Sequence, residues 1–426
     1  TKKLNELRDR GVIIPDISSV KIGREISLEK ISSGSTLFPF VRINGEKTEI
    51  HSGSKIGIYG PVTIEDSWIG KNVTIGSLGP VTLKDVVVGP ESVLGSGVAE
   101  NSVFLGKESF VNNFTTGYGF RVRSGSLFEE DSSSAQHTDT KMTILFPWAT
   151  LGSNINFCDV ILTGGTGPDL GYFSEVGSGT IHFNFTIRGD KATASLFGDI
   201  SRGVFLNKER IFIGGNNSLL GPLKSEFGVM TAADSRIKGT LLRGLNYGKS
   251  FSKGLVNYDP KIFVGALGIV SKQLNVLGEL ASLYNWYKQI RIPCIAKTTD
   301  INFVYSAGLK MVELNFDERL FQLSKYINNL QNSIDLNSKL NKLPKKEILE
   351  QRELIKKWSL IEKRLEKISK FEMSAPDSLK ESILKMQSER NLNYTSLIRE
   401  LSDKVKKSGG IWLSRISKKV RDVIIS

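Results

Sequence analysis

Cysteine and histidine are scarce in this 426-residue chain: two of the first, Cys158 and Cys294, and three of the second, His51, His137 and His182. Two distant cysteines make neither a disulfide framework nor a zinc-ligand pattern, so a reducing cytoplasm is expected and no structural metal is. Long hydrophobic runs are also missing. The longest nearly apolar stretch, Ile262 to Val270, is about half the length of a membrane span. Residues Thr1 to Arg10 are polar and mixed in charge, unlike a signal peptide. Acid is short toward the C-terminus, with 21 Lys and Arg against 12 Asp and Glu over residues 341–426, in a chain of net charge +13. Interspersed acids fit a solvated helical face, and no aromatic-interleaved basic motif points to nucleic acid as a partner.

What the chain does have is a repeat. One aliphatic residue recurs every six positions: Ile69, Ile75, Val81, Val87, Val93, Ala99, Leu105, Val111. Glycine often stands beside it, as in Ile69-Gly70, Ile75-Gly76, Leu105-Gly106, Leu151-Gly152 and Ile213-Gly214. A period of six fits neither a helix nor a lone strand. It fits a coil that turns a corner every six residues, three flat faces to a turn, each turn pairing with those above and below. The expected fold is an all-β parallel β-helix over residues 1–240, left-handed as in proteins that this hexapeptide repeat resembles, followed by an α-helical C-terminal region. Residues 112–148 and 163–170 read as loops thrown out from the coil, 241–264 as a linker, and 265–426 as a helical extension. Helical patterns run over 270–290, 317–333, 345–371 and 376–407, with Gly409-Gly410 as the stop. Residues 411–426 form a basic amphipathic tail that could touch anionic lipid, though packing on its own protein is favoured.

Several stretches resemble one family. Gly11-Val12-Ile13-Ile14-Pro15-Asp16 is similar to the entry into the acetyltransferase coil of the bifunctional UDP-N-acetylglucosamine pyrophosphorylase/glucosamine-1-phosphate N-acetyltransferase family. Phe120-Arg121-Val122-Arg123-Ser124-Gly125 resembles its A-R-L-R-P-G segment, and residues 168–185 resemble A-E-I-G…I-G-A-G-T-I-x-x-N-Y. Ile211 to Pro222 and Thr231-Ala232-Ala233 follow its closing coils. The likeness covers a little over half the chain. The family's other half, with its glycine-rich L-A-A-G-x-G-T-R-M nucleotide loop, has no counterpart, so nucleotidyl transfer is not expected.

The resemblance implies acyl or acetyl transfer to an amino-sugar phosphate or a nucleotide sugar, with acetyl-CoA or another acyl-CoA or acyl carrier as donor, in a homotrimer. It implies phosphate contacts from Arg121 and Arg123, since guanidinium is a bidentate phosphate donor, with Lys141 upstream of the expected base. Asn184, Lys191, Gly215 and Ala233 fall at sugar or acyl-donor positions. The family's catalytic histidine, which deprotonates the sugar amine, falls on Asp159 by one alignment and on Ile161 by another. His137 and His182 are therefore candidate replacement bases, the former flanked by Asp139 and Lys141. The alternative is a non-catalytic β-helical binding or scaffold protein that has lost the base.

Overall fold

Three faces of six residues make a turn of about eighteen. The computed structural model describes residues 2–106, 116–178, 191–248 and 259–424 and shows that spacing. Lys55 pairs with Thr74 and Thr138 with Ile155, both in parallel, so a turn takes 17 to 19 residues in these coils. Three strands per turn build a three-sided parallel β-solenoid over residues 21–246, about eleven turns long. Helix α1 (Lys2–Asp9) opens the chain and buries Leu4 and Leu7 in the core of the first coils.

The bore is apolar in the first coils. Ile43, Ile64 and Leu83 stack in register on the first face, and Ile56, Ile75 and Leu94 on the third. From Phe104 onward the bore is filled by aromatics, with the Phe104 and Phe128 rings 5.1 Å apart and edge to face. Of the six-residue series, Ile69, Ile75, Val81 and Ala99 point inward. Val87 and Val93 do not: their neighbours Val88 and Leu94 take the inward place.

The second face explains that slip, because it is apolar on both sides. Its strands carry adjacent apolar pairs: Trp68-Ile69, Val87-Val88, Val103-Phe104, Leu127-Phe128, Ile144-Leu145 and Ile161-Leu162. One member of each pair fills the bore. The other points outward, and register stacks the outward ones into a continuous column: Trp68, Val87, Val103, Leu127, Ile144, Ile161 and Leu196. A strand reads as a continuous apolar run when both of its faces are covered.

The cover is the helical region. Helix α2 (Ile200–Gly203) interrupts the coil, and α3 (Ala266–Trp286) continues into a π-helical stretch, Tyr287–Ile295. Helices α4 (Thr299–Asn328), α5 (Leu330–Leu340), α6 (Lys345–Leu365), α7 (Asp377–Arg390), α8 (Tyr394–Glu400) and α9 (Asp403–Arg421) follow. The outward column and the buried sides of these helices form one apolar cluster, distinct from the bore. Fully burying a Leu or Ile is worth about 1.5–3 kcal/mol, so a column of this length holds the two regions together strongly.

Three boundaries differ from the sequence expectation. Residues 116–148 are not a loop: strands Thr116–Val122, Leu127–Phe128, Ser133–Ser134, Thr138–Lys141 and Ile144–Leu145 continue the coil, and residues 107–115 lie outside the described part. The stretch taken as the start of a linker carries a further solenoid strand, Gly244–Asn246. Gly409-Gly410 does not end a helix but lies inside α9, where a Cβ on Gly409 would come 2.5 Å from Phe205 Cζ. The glycines are there for close approach, not termination. The excursion at 163–170 is present, between strands Val160–Leu162 and Glu175–Val176.

Candidate functional site

Outward residues alternate along a strand, so three neighbouring strands on the first face present a grid two columns wide. Its rows are Arg121 and Arg123, Asp139 and Lys141, Asn156 and Cys158, with Arg121 beside Asp139 and Asp139 beside Asn156. Arg123 Nε donates to Asp139 Oδ1 at 2.7 Å, and its Nη2 lies 3.0 Å from Cys158 Sγ. The Cys158 thiol donates to Asn156 Oδ1 at 2.9 Å. Burial pushes that thiol up to about 12 despite Arg123, so it is a neutral hydrogen-bond donor and not a nucleophile. Arg121 is exposed on the same strand and Lys141 half-buried.

His137 stands exposed at the corner leading into this face, with a left-handed backbone (φ 55°). Its N–H donates to the Tyr118 carbonyl at 2.7 Å, and its ring lies edge-on to Tyr118, 5.7 Å between centroids. Gly119 sits below it, where a Cβ would come 2.9 Å from His137 Nδ1. The candidate base is thus on a rigid corner and not, as the sequence suggested, on an insertion loop.

Strand register places two more candidates on this edge. Ser134, Leu151, Val176, Ile213 and Thr231 follow one another up the third face. The left-handed corner residues three positions after them are His137, Asn154, Asn216 and Asp234, and Gly215 and Ala233 each stand one residue earlier in their corner. Gly215 and Ala233 are neighbours there, the Asp234 N–H donating to the Gly215 carbonyl at 2.9 Å. With strands about 4.8 Å apart, they lie roughly 14 and 19 Å up the edge from His137. Lys191 is half-buried before the strand Ser195–Phe197, and His182 and Asn184 lie outside the described residues.

Asp159 is not at this site. It occupies a different corner, is 5% exposed, and its Oδ1 lies 2.7 Å from Nη2 of Arg319 on α4, itself 3% exposed. A carboxylate sealed beneath a helix and held by a guanidinium cannot take a proton from a substrate, so Asp159 is an anchor for the helical region.

A second anchor was not foreseen. Glu129 and Glu130, read from sequence as part of a loop, are 2% exposed and meet Arg291 of the π-helical stretch. Arg291 Nη2 lies 3.0 Å from Glu129 Oε2 and donates to Glu130 Oε2 at 3.1 Å. The Tyr287 hydroxyl donates to Glu129 Oε1 at 2.6 Å, and the guanidinium lies over the Tyr394 ring at 3.6 Å. Burial pushes the Glu129 carboxyl up from 4.5 to about 7, opposed by Arg291 and assisted by Glu130. The folded-state value therefore exceeds the unfolded one. The stability this group contributes is complete below about pH 4.5 and is lost as pH rises through about 7. Urea midpoints are expected to fall between about pH 5 and 7 more steeply in the native chain than in Glu129→Gln. Equal slopes in the two would remove Glu129 as the cause.

Fold and site define a class: a parallel β-solenoid with a helical domain docked along one face and a polar grid on another. The sequence matches no protein-family model and no curated protein. Among the described residues no helix is long and apolar enough to cross a membrane, and the apolar side of the basic tail, with Trp412, Leu413, Ile416 and Val420, is buried.

Proposed function

We propose that the chain is a hexapeptide-type acyltransferase related to the N-acetylglucosamine-1-phosphate-forming enzymes, acting on a phosphorylated amino sugar or nucleotide sugar. What supports this is one edge of the coil that bears His137 below and Gly215 and Ala233 in corners higher up, with Arg121, Arg123 and Lys141 beside its lower end. Arg121 and Lys141 hold the acceptor phosphate, with Arg123 held beside them by Asp139. His137 takes a proton from the acceptor amine as that amine attacks the thioester carbonyl; the acyl C–S bond then breaks, and the sulfur leaves as the thiol with the proton that His137 returns. The acyl-donor arm runs up the edge past Gly215 and Ala233, where small residues leave room for it. A homotrimer would close that edge with a second copy of the chain.

The test is transfer from acetyl-CoA to glucosamine 1-phosphate by the full chain, followed by thiol release. His137→Ala is expected to lower kcat by about 10²–10⁴-fold with little change in KM, as for loss of a general base. Arg121→Ala is expected to raise the acceptor KM. If transfer occurs and His137→Ala leaves kcat intact, the assigned base is wrong. If neither acceptor nor donor binds, the non-catalytic scaffold reading replaces this one; the helical domain sealing off Asp159 is the observation in its favour.

A further inference from the structure

A separate basic cavity of about 650 Å³ opens where α9 crosses α2. Seven of its fourteen lining residues are Lys or Arg, and one, Asp403, is acidic. Lys407, Ser414, Lys418 and Arg421 line it from α9, at the 3–4 spacing that puts them on one stripe. Arg202 and Lys208 come from the α2 segment on the opposite wall, with Phe205 and Ile411 supplying apolar surface.

Helix-dipole complementarity explains part of this. Lys418, Lys419 and Arg421 are in the last turn of α9, where cations are favoured. It does not explain Lys407 seven or more residues earlier, nor Arg202 and Lys208 on another segment. Arg202 is neutralised by Asp199. Lys208, Lys407, Arg415 and Lys418 have no ion-pair partner among the described residues. Like charges gathered in a concavity repel one another and raise the local potential for anions.

The depth of the cavity is built in. A Cβ on Gly410 would come 3.3 Å from the Ser201 carbonyl, so the glycine pair lets α9 settle on α2. Below, Glu279 of α3 accepts from the Ile200 N–H at 2.8 Å and from the Ser417 hydroxyl at 2.8 Å, tying both walls to one buried side chain. The walls are thus preformed and the volume is that of a small-ligand pocket.

We infer that this cavity binds a compact ligand carrying two linked phosphates, such as a nucleoside diphosphate. Basic side chains line it from two separate segments, a supply of charge that two linked phosphates match better than one, and the two apolar side chains suit a flat group attached to the pair. The site is independent of the edge bearing His137.

Calorimetry on the full chain with orthophosphate, pyrophosphate and ADP tests it, beside flotation with phosphatidylcholine vesicles with and without anionic lipid. Pyrophosphate and ADP are expected to bind at least tenfold more tightly than orthophosphate and to raise the thermal midpoint. Lys407→Glu/Lys418→Glu should weaken both at least tenfold, whereas Lys356→Glu/Lys385→Glu, on exposed positions elsewhere, should not. Equal weakening by the two double variants would mean a general charge effect and overturn the proposal. So would a lack of diphosphate binding, or association with anionic vesicles alone.

Discussion

Arg291→Ala is expected to destabilise the chain by about 3–5 kcal/mol, the cost of leaving buried charge without its partner. Two carboxylates converge on one guanidinium that is 0% exposed, and nothing in a methyl group replaces it. Arg291→Lys should recover little. An ammonium lacks the planar fork that reaches both Glu129 and Glu130, and it cannot stack flat over Tyr394. Neutralising the carboxylates as well, in Arg291→Ala with Glu129→Gln and Glu130→Gln, should restore much of the loss. Urea unfolding read by circular dichroism checks this. If the single and triple variants unfold at the same midpoint, the cluster is held by packing and not by charge.

The second large effect concerns the outward column. Leu127 is fully buried, belongs to the cluster shared with the helices, and does not face the bore. Leu127→Ala should cost about 2–5 kcal/mol as a core truncation. Leu127→Asp should go further and detach the helices, because a carboxylate there has no partner in the apolar column. The β-signal of the solenoid should persist while proteolysis of residues 265–424 becomes fast. Leu83→Asp, one strand position inside the bore, should instead destroy the coil itself. Detachment in neither variant, or collapse of the coil in both, would contradict the division between the two apolar clusters.

These two features mark what could be read in advance. The six-residue period made the solenoid legible, since an inward aliphatic at each face is its physical requirement. The adjacent pairs, such as Leu127-Phe128 and Ile144-Leu145, also announce a face buried on both sides, but a period of six counts only one member of each pair. Residues 116–148 hid because several of their buried positions hold hydroxyls. Ser126 and Thr143 are 0% exposed; the Ser126 hydroxyl donates to the Arg123 carbonyl at 2.9 Å and the Thr143 hydroxyl to the Phe157 carbonyl at 2.7 Å. Buried Ser and Thr bonded to the backbone resemble loop composition when only the sequence is seen. The ion pairs Asp159–Arg319 and Glu129–Arg291 join residues about 160 positions apart, and no local pattern encodes such partners. Arg121, Arg123 and Lys141 did prove to be neighbours, because a spacing near one turn brings residues together on a solenoid.

The docked face also has a history within each molecule. A coil can form as soon as its own eighteen or so residues have emerged, because its partners are the turns already made. The outward column, from Trp68 to Leu196, is therefore complete before α3 has been synthesised. At about 5–20 residues per second, synthesis from Leu196 to the end of α9 takes roughly ten to forty-five seconds. For that interval a greasy stripe runs uncovered along the folded coil.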